Sequence, residues 1–426
     1  MKSKRAIDHI WMTGIVFLMI YRPAIFPGVS ITDVLFVISV IGYLVCTKRK
    51  INLSDFVPNK EIKLYIYIMV IAALYSSGIT FISGGRWNYG YTFIKLILYS
   101  IVYAAYICAF MKKNKYEFRH LVNWLLWASV VQSAFVIAML LNNNLRTQII
   151  TSLINNGAGG ITMDRFLAYP QRSFGLGDGY WSGLSVVSGI LADLAVVFSL
   201  KYSSKYYLFI PGLLLTAAVN ARIGLIVFLI GLIFIIFMNN NTSISRKIGF
   251  VLIIAFVMAF LPYVINYLQS VAPSTFRWIT QITEHFNNMT EQEGSETYYH
   301  LNPFYWRWPS IGATIFGTGK SIFGTEGLAN FGFSSDSGYL GIIYRGGLVL
   351  SFLLYLAVFF LCIPKKLRKS QYKIIGILCF VSLLVQNYKG GIFYFNEYYT
   401  MIIILIVAIY QVGDISGNQL TGRKET

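Results

Sequence analysis

The sequence predicts an all-α, polytopic integral membrane protein of about twelve transmembrane helices, with one large extracytoplasmic loop between the ninth and tenth. Three observations predict it. Of the 426 residues, 56% are hydrophobic and only 12% charged, with a mean hydropathy of +0.61, which excludes an ordinary soluble domain. Apolar runs near the length that crosses a bilayer, about 20 helical residues for about 30 Å of hydrocarbon, recur from Trp11 to Tyr410. Between them lie short linkers rich in Lys and Arg, the residues that resist translocation.

The spans fall near 10–26, 29–46, 62–82, 91–111, 121–141, 181–200, 206–219, 223–238, 248–265, 337–361, 374–386 and 392–411. The first follows Met1, Lys2, Lys4 and Arg5 with no small-residue cleavage site, so it reads as a retained anchor. Basic clusters at 48–50, 112–115, 201–205, 246–247 and 365–373 mark one face, the cytoplasmic one, and successive clusters are separated by two spans. Both termini are therefore expected in the cytoplasm. The same parity makes 206–238 a hairpin turning at Asn220, Ala221 and Arg222, and 374–411 a hairpin whose outer turn holds Asn387, Tyr388, Lys389, Gly390 and Gly391. The arms of the first hairpin reach only about 21 to 24 Å at about 1.5 Å per residue. Arg222 is accordingly expected below the outer membrane surface.

This topology sorts the 35 basic residues unevenly. The cytoplasmic set is mostly lysine. Arg22, Arg86, Arg146, Arg165, Arg172, Arg222, Arg277, Arg307 and Arg345 fall outside the cytoplasm or within the membrane, with only Lys95, Lys320 and Lys389 beside them. A planar guanidinium offers paired donors to phosphate or carboxylate and keeps its charge when partly buried. A lipid-headgroup contact or a helix cap accounts equally well for any single one. The set as a whole points to an anion site, because the longest outer loop also carries Glu284, Glu291, Glu293, Glu296 and Glu326 and is not generally basic.

Two outer segments carry most of the remaining information. Residues 142–180 contain an amphipathic stretch around Leu145 to Ile154, suited to the membrane surface, then Arg165 and Arg172 and a glycine-punctuated run, Gly175, Gly177 and Gly179. Residues 266–336 form a loop far longer than a connection needs, rich in aromatic residues including Trp278, Tyr299, Tyr305, Trp306 and Trp308. Such faces suit sugar rings, and an interfacial aromatic belt also explains a good share of them. Within it Gly317, Thr318, Gly319, Lys320 and Ser321 imitate the end of a P-loop, but Thr314 stands where the motif needs glycine, so a plain turn is the better reading.

Cys46, Cys108, Cys362 and Cys379 lie within spans or at their cytoplasmic ends, so no structural disulfide is expected. The histidines are scattered at His9, His120, His285 and His300; the last two share the long outer loop, where nearby Glu could complete a divalent-ion site, but a solvated loop is the better reading and no metal site is expected. Asp33 and Lys95, near outer span ends, are a candidate pair; Asp193 lies deeper, as a packing group or part of a cavity.

The turn Asn220-Ala221-Arg222-Ile223-Gly224-Leu225, the segment Arg307-Trp308-Pro309 leading to Phe316-Gly317-Thr318-Gly319, and Ser335-Asp336-Ser337-Gly338-Tyr339-Leu340 followed by Arg345-Gly346-Gly347-Leu348 together resemble bacterial O-antigen polymerases of the Wzy type, which share their architecture with the O-antigen ligases. The resemblance covers 180–410; the first five spans match in hydropathy only. Asp336 stands where the ligases carry a histidine-containing motif, which favours polymerase. The resemblance implies a bacterial inner-membrane glycosyltransferase of lipopolysaccharide biosynthesis. Such an enzyme moves a glycan from undecaprenyl diphosphate to the terminal sugar of another lipid-linked repeat unit on the periplasmic face. The carrier diphosphate is the leaving group, so neither ATP nor a metal or other cofactor is required. The implied partners are the undecaprenyl diphosphate-linked oligosaccharide, membrane lipids and a chain-length regulator, with no nucleic acid. An O-antigen ligase or a repeat-unit flippase is the alternative.

The enzyme must then stabilise diphosphate charge and position an acceptor hydroxyl. Arg222 is the leading diphosphate ligand, and Asp336 is the candidate general base, with an N-cap for the tenth span as the equal alternative. Arg172, Arg277, Arg307 and Arg345 are further diphosphate ligands; His300, Glu397 and Arg165 are held in reserve.

Overall fold

A computed structural model describes residues 2–85, 88–157, 173–177, 182–238, 307–393 and 396–413, and among them every regular element is helical. In chain order these are α1 (Lys2–Tyr21), α2 (Ile31–Cys46), a single turn α3 (Leu53–Phe56), α4 (Lys60–Ile82), α5 (Asn88–Asn114), α6 (Phe118–Leu141) and α7 (Asn143–Asn155). After these come α8 (Ser182–Lys201), a 3-10 turn (Ser204–Phe209), α9 (Ile210–Asn220), α10 (Ile223–Met238), α11 (Ile311–Phe316) and α12 (Gly324–Phe331). The last are α13 (Gly338–Cys362), α14 (Lys365–Arg368), α15 (Lys373–Lys389) and α16 (Glu397–Val412). Five described helices are long and apolar enough to cross a membrane: Lys60–Ile82, Tyr89–Asn114, Phe118–Leu141, Ser182–Lys201 and Gly338–Cys362. The span expected at 248–265 lies outside the described residues.

Local chemistry places several of the ends. Asn59, Asn142 and Asn396 accept hydrogen bonds from the backbone N–H of Ile62, Leu145 and Tyr399, which caps α4, α7 and α16. Helix α1 stops at Tyr21, short of the expected 26, because Arg22 takes a positive φ of 48° and Pro23 follows. Helix α15 runs on through Asn387, Tyr388 and Lys389, so the outer turn of that hairpin begins at Gly390. The stretch around Leu145 to Ile154 forms one helix, α7, and it buries Arg146, Ile150 and Leu153 along one stripe.

The centre of the molecule is α8, buried from Gly183 to Leu200, with α16 almost as enclosed. No charged partner is needed for such a helix to pack; close approach of backbones is. Along the α8–α10 seam a Cβ on Gly189 would lie 2.3 Å from the Gly224 carbonyl, and one on Gly224 only 2.1 Å from the Ser185 carbonyl. Lower down, Gly231 leaves the room that the carboxyl of fully buried Asp193 occupies. Helix α13 packs most extensively on α4, and α1 on α6.

Several basic linkers meet at one end of the bundle. Lys112 Nζ donates to Asp55 Oδ1 at 2.9 Å and also bonds Gln411, whose Nε2 donates to the Ser54 carbonyl. Lys201 Nζ donates to Gln371 Oε1, and the rings of Phe118 and Tyr372 meet at 5.1 Å. All four cysteines are free.

Candidate functional site at the arginine end

Every lysine whose side chain is described is exposed or half-exposed, whereas Arg22, Arg146 and Arg345 are buried to 5%, 7% and 7% exposure. All three buried arginines belong to the set read as non-cytoplasmic. Two of them are built into breaks in the helical frame.

Arg345 lies seven residues into α13, about 10 Å below its start at 1.5 Å per residue. Two residues later the helix breaks. Gly347 has φ 65° and ψ −164°, a region that side chains exclude. The break deprives the Tyr344 and Arg345 carbonyls of their normal partners four residues on, which inside a membrane would be costly. The loop beside it supplies replacements. Thr318 donates to the Tyr344 carbonyl from both its N–H, at 2.6 Å, and its hydroxyl, at 2.7 Å, and the Gly319 N–H donates to the Arg345 carbonyl at 3.0 Å. Gly317 is held so close that a Cβ there would sit 2.4 Å from Gly346 Cα, and one on Gly347 would sit 2.2 Å from the Ile315 carbonyl. On the other side Tyr75 of α4 donates to the Phe316 carbonyl. The glycine-rich stretch that imitates a P-loop is thus a wedge between α4 and the broken α13, a structural turn as its sequence suggests.

The broken helix presents the Arg345 guanidinium in an aromatic setting. It lies 3.7 Å from the centre of the Tyr89 ring and 5.2 Å from that of Phe323, and Nη2 donates to Ser321 Oγ at 3.4 Å. Arg345 borders a small, largely apolar cavity, about the size of one water molecule, that it lines together with Phe93, Phe323, Gly338, Gly391 and Phe393. A cation held among ring faces and away from bulk water exerts a stronger field on a bound anion than one in solution.

Arg22 makes the second arrangement. Its Nη2 lies 3.0 Å from Glu397 Oε1, and both side chains are almost fully enclosed. Gly183 at the start of α8 makes space for the carboxylate, since a Cβ there would be 2.6 Å from Glu397 Oε2. Glu397 also occupies the first turn of α16, where a helix N-terminus favours negative charge.

Arg222 stands at the expected turn between α9 and α10 and is half-buried. Ser185 stitches that turn to α8: its hydroxyl donates to the Ala221 carbonyl and accepts from the Gly224 N–H. The end of α15 bridges the Arg222 and Arg345 sides, with Gln386 Nε2 donating to Ser182 Oγ at 2.5 Å and Asn387 packed on Gly338. Arg307 is exposed, 5.2 Å from the Phe333 ring, and its carbonyl accepts from Tyr344 at 2.8 Å, which anchors it directly above the broken helix. Asp336 is exposed two residues before α13. It is not the cap of that helix: Ser337 is, accepting from the Leu340 N–H. Arg165, Arg172, Arg277 and His300 lie outside the described residues.

Residues 173–177 lie within the bundle. Gln132, fully buried in α6, donates to the Phe174 carbonyl at 2.6 Å and accepts from the Leu176 N–H at 3.1 Å. Gln132 lies nine residues before the end of α6, so this clasp sits about 14 Å below that end. Irregular backbone at membrane depth requires such replacement partners. Asp33 and Lys95 are paired, at 3.5 Å.

Sequence reasoning placed Arg345 among several equals and passed over Arg22, Tyr89 and Phe323. The Gly346-Gly347 pair directly after Arg345 was the available signal, since adjacent glycines within an apolar span mark a weak point in a helix. Nothing local marks Arg22 as the partner of Glu397, 375 positions away in the chain. No family model matches the chain, and no curated protein matches it.

Proposed function

We propose that this chain is a membrane-embedded polysaccharide polymerase that transfers a glycan from a polyprenyl diphosphate to the terminal sugar of a second lipid-linked repeat unit. The observation that carries the reading is Arg345, buried beside a cavity at the broken α13 and stacked on Tyr89. Discontinuous helices in membrane proteins are characteristic of sites for polar ligands. A recessed guanidinium meets a lipid headgroup phosphate at the depth where a polyprenyl carrier presents it.

In the proposed reaction the acceptor hydroxyl oxygen bonds the donor anomeric carbon as the bond from that carbon to the diphosphate oxygen breaks. The electron pair leaves with the diphosphate, whose growing charge Arg345 stabilises, with Arg222 and Arg307 as further cations. The acceptor proton passes to a carboxylate. Asp336 is solvent-exposed and open to receive it, whereas Glu397 is engaged by Arg22. Asp336 is therefore the assigned base and Glu397 the carboxylate that holds the frame. The site works from the face opposite the lysine-rich linkers, in the inner membrane of a bacterium.

Deletion of the gene tests this reading. Surface glycan that stops at a single attached repeat supports a polymerase; loss of every attached repeat overturns it in favour of ligase or flippase.

A further inference from the structure

At the lysine-rich end, far from the arginine site, α1 meets α6 through an aromatic and imidazole cluster. Trp124, buried to 1% exposure, donates its Nε1–H to His9 Nδ1 at 2.7 Å. The rings of His9 and His120 stack at 5.6 Å with 21° between their planes, and Tyr116 packs on both at 5.3 and 5.0 Å. These two histidines, read from sequence as scattered, are neighbours. An imidazole that accepts at Nδ1 is neutral, with its proton on Nε2. One added proton would set the Nδ1–H of His9 against the indole N–H and place a cation over the His120 ring.

We propose that His9 is an acid-sensitive latch that holds the amino-terminal part of α1 against α6. His120 does not serve in the same way. Its Nδ1 lies 3.1 Å from the Glu117 N–H and 3.2 Å from the Glu117 carbonyl, so a protonated ring exchanges an acceptor role for a donor role in place. The charged groups around the latch are Arg5 and Asp8 on α1, Glu117 before α6 and Arg119 on it, the last two paired at 3.0 Å. Asp8 also accepts from Tyr116 Oη at 3.2 Å. Burial lowers the affinity of His9 for a proton more than Asp8 raises it, and Arg5 lowers it further.

The sign follows from linkage. With the folded value depressed, the latch is complete above the ordinary histidine range, near pH 6.5, and is lost as pH falls below it. Hydrogen exchange of the full chain in lipid nanodiscs, at about pH 7.5 and about pH 5.5 and corrected for intrinsic rates, reads this directly. Wild type is expected to lose about tenfold protection over residues 5–12 at the lower pH. H9Q, whose amide oxygen accepts from Trp124 and does not titrate, is expected to keep the same protection at both. H120Q is expected to retain the wild-type drop. Equal protection of wild type at the two values overturns the proposal, as does an undiminished drop in H9Q. Loss of the drop in H120Q alone would move the switch to His120 and overturn the assignment to His9.

Discussion

The two ends of this molecule carry cations in opposite ways. At one end Lys112, Lys113, Lys201, Lys365 and Lys366 stand in solvent, making surface contacts such as Lys112 with Asp55. At the other, Arg22 is enclosed with Glu397, and Arg345 is enclosed among Tyr89, Phe323 and a broken helix. Exposed ammonium groups suffice to resist translocation, and their geometry is free. Enclosed guanidinium groups need a built environment, and here that environment includes an interrupted α13, a left-handed residue after α1 and a returning loop. Left-handed backbone is not confined to that end, since Lys48, Arg49 and Lys115 in the basic linkers also take positive φ; what distinguishes the arginine end is the interrupted α13 and the replacement hydrogen bonds around it.

Substitutions can break this contrast. The largest effect is expected at Arg345: Arg345→Lys should lower polymer formation by about 10²- to 10³-fold, because an ammonium group neither stacks on Tyr89 nor offers a fork of donors. A glycan ladder from purified protein and lipid-linked repeat units measures it; near wild-type polymer would remove Arg345 from the chemistry.

Next comes the enclosed ion pair. Glu397→Gln leaves the Arg22 charge without its carboxylate and should cost about 3–5 kcal/mol, whereas Arg22→Met combined with Glu397→Leu should recover most of that loss. Thermal unfolding in detergent separates these outcomes, and equal losses in the single and double variants would show that the pair is not what holds α1 to α16.

Gly347→Ala is expected to cost about 1–3 kcal/mol from backbone conformation alone, with a further penalty from overlap of its Cβ with the Ile315 carbonyl. An unchanged melting temperature would mean that α13 can be continuous. The smallest effect belongs to the lysine-rich end. Lys112→Ala should change stability by less than about 1 kcal/mol, and a larger loss would erase the distinction between the two ends.

Much of this was legible in the chain itself. The turn at Asn220 to Arg222, the helix over residues 145–154 and the Asp33–Lys95 pair all follow from hydropathy and charge, which act within a few residues or across one helix end. The excess of arginine away from the basic linkers was equally visible. Its internal order was not. Arg222 looked the most recessed because its hairpin is short, yet Arg345 is the more deeply enclosed, since the depth of a side chain depends on what packs around it.

Asp336 shows the same limit from another direction. Its position before a span suits an N-cap and a base alike, and only the fold assigns the cap to its neighbour Ser337 and leaves Asp336 exposed. His9 and His120 stand 111 positions apart and share in the sequence only their place beside basic linkers; the packing of α1 on α6 brings their rings together.

The sequence by itself determined a helical membrane protein, the positions of most described helices and a division of cations by type, because these depend on apolar length and on charge counted over short segments. Only the tertiary structure decided that α13 is broken, that the glycine-rich loop repairs the break and that Arg22 meets Glu397. Those features rest on hydrogen bonds and ion pairs between distant segments, and no local pattern of residues specifies which distant partner will satisfy a buried group.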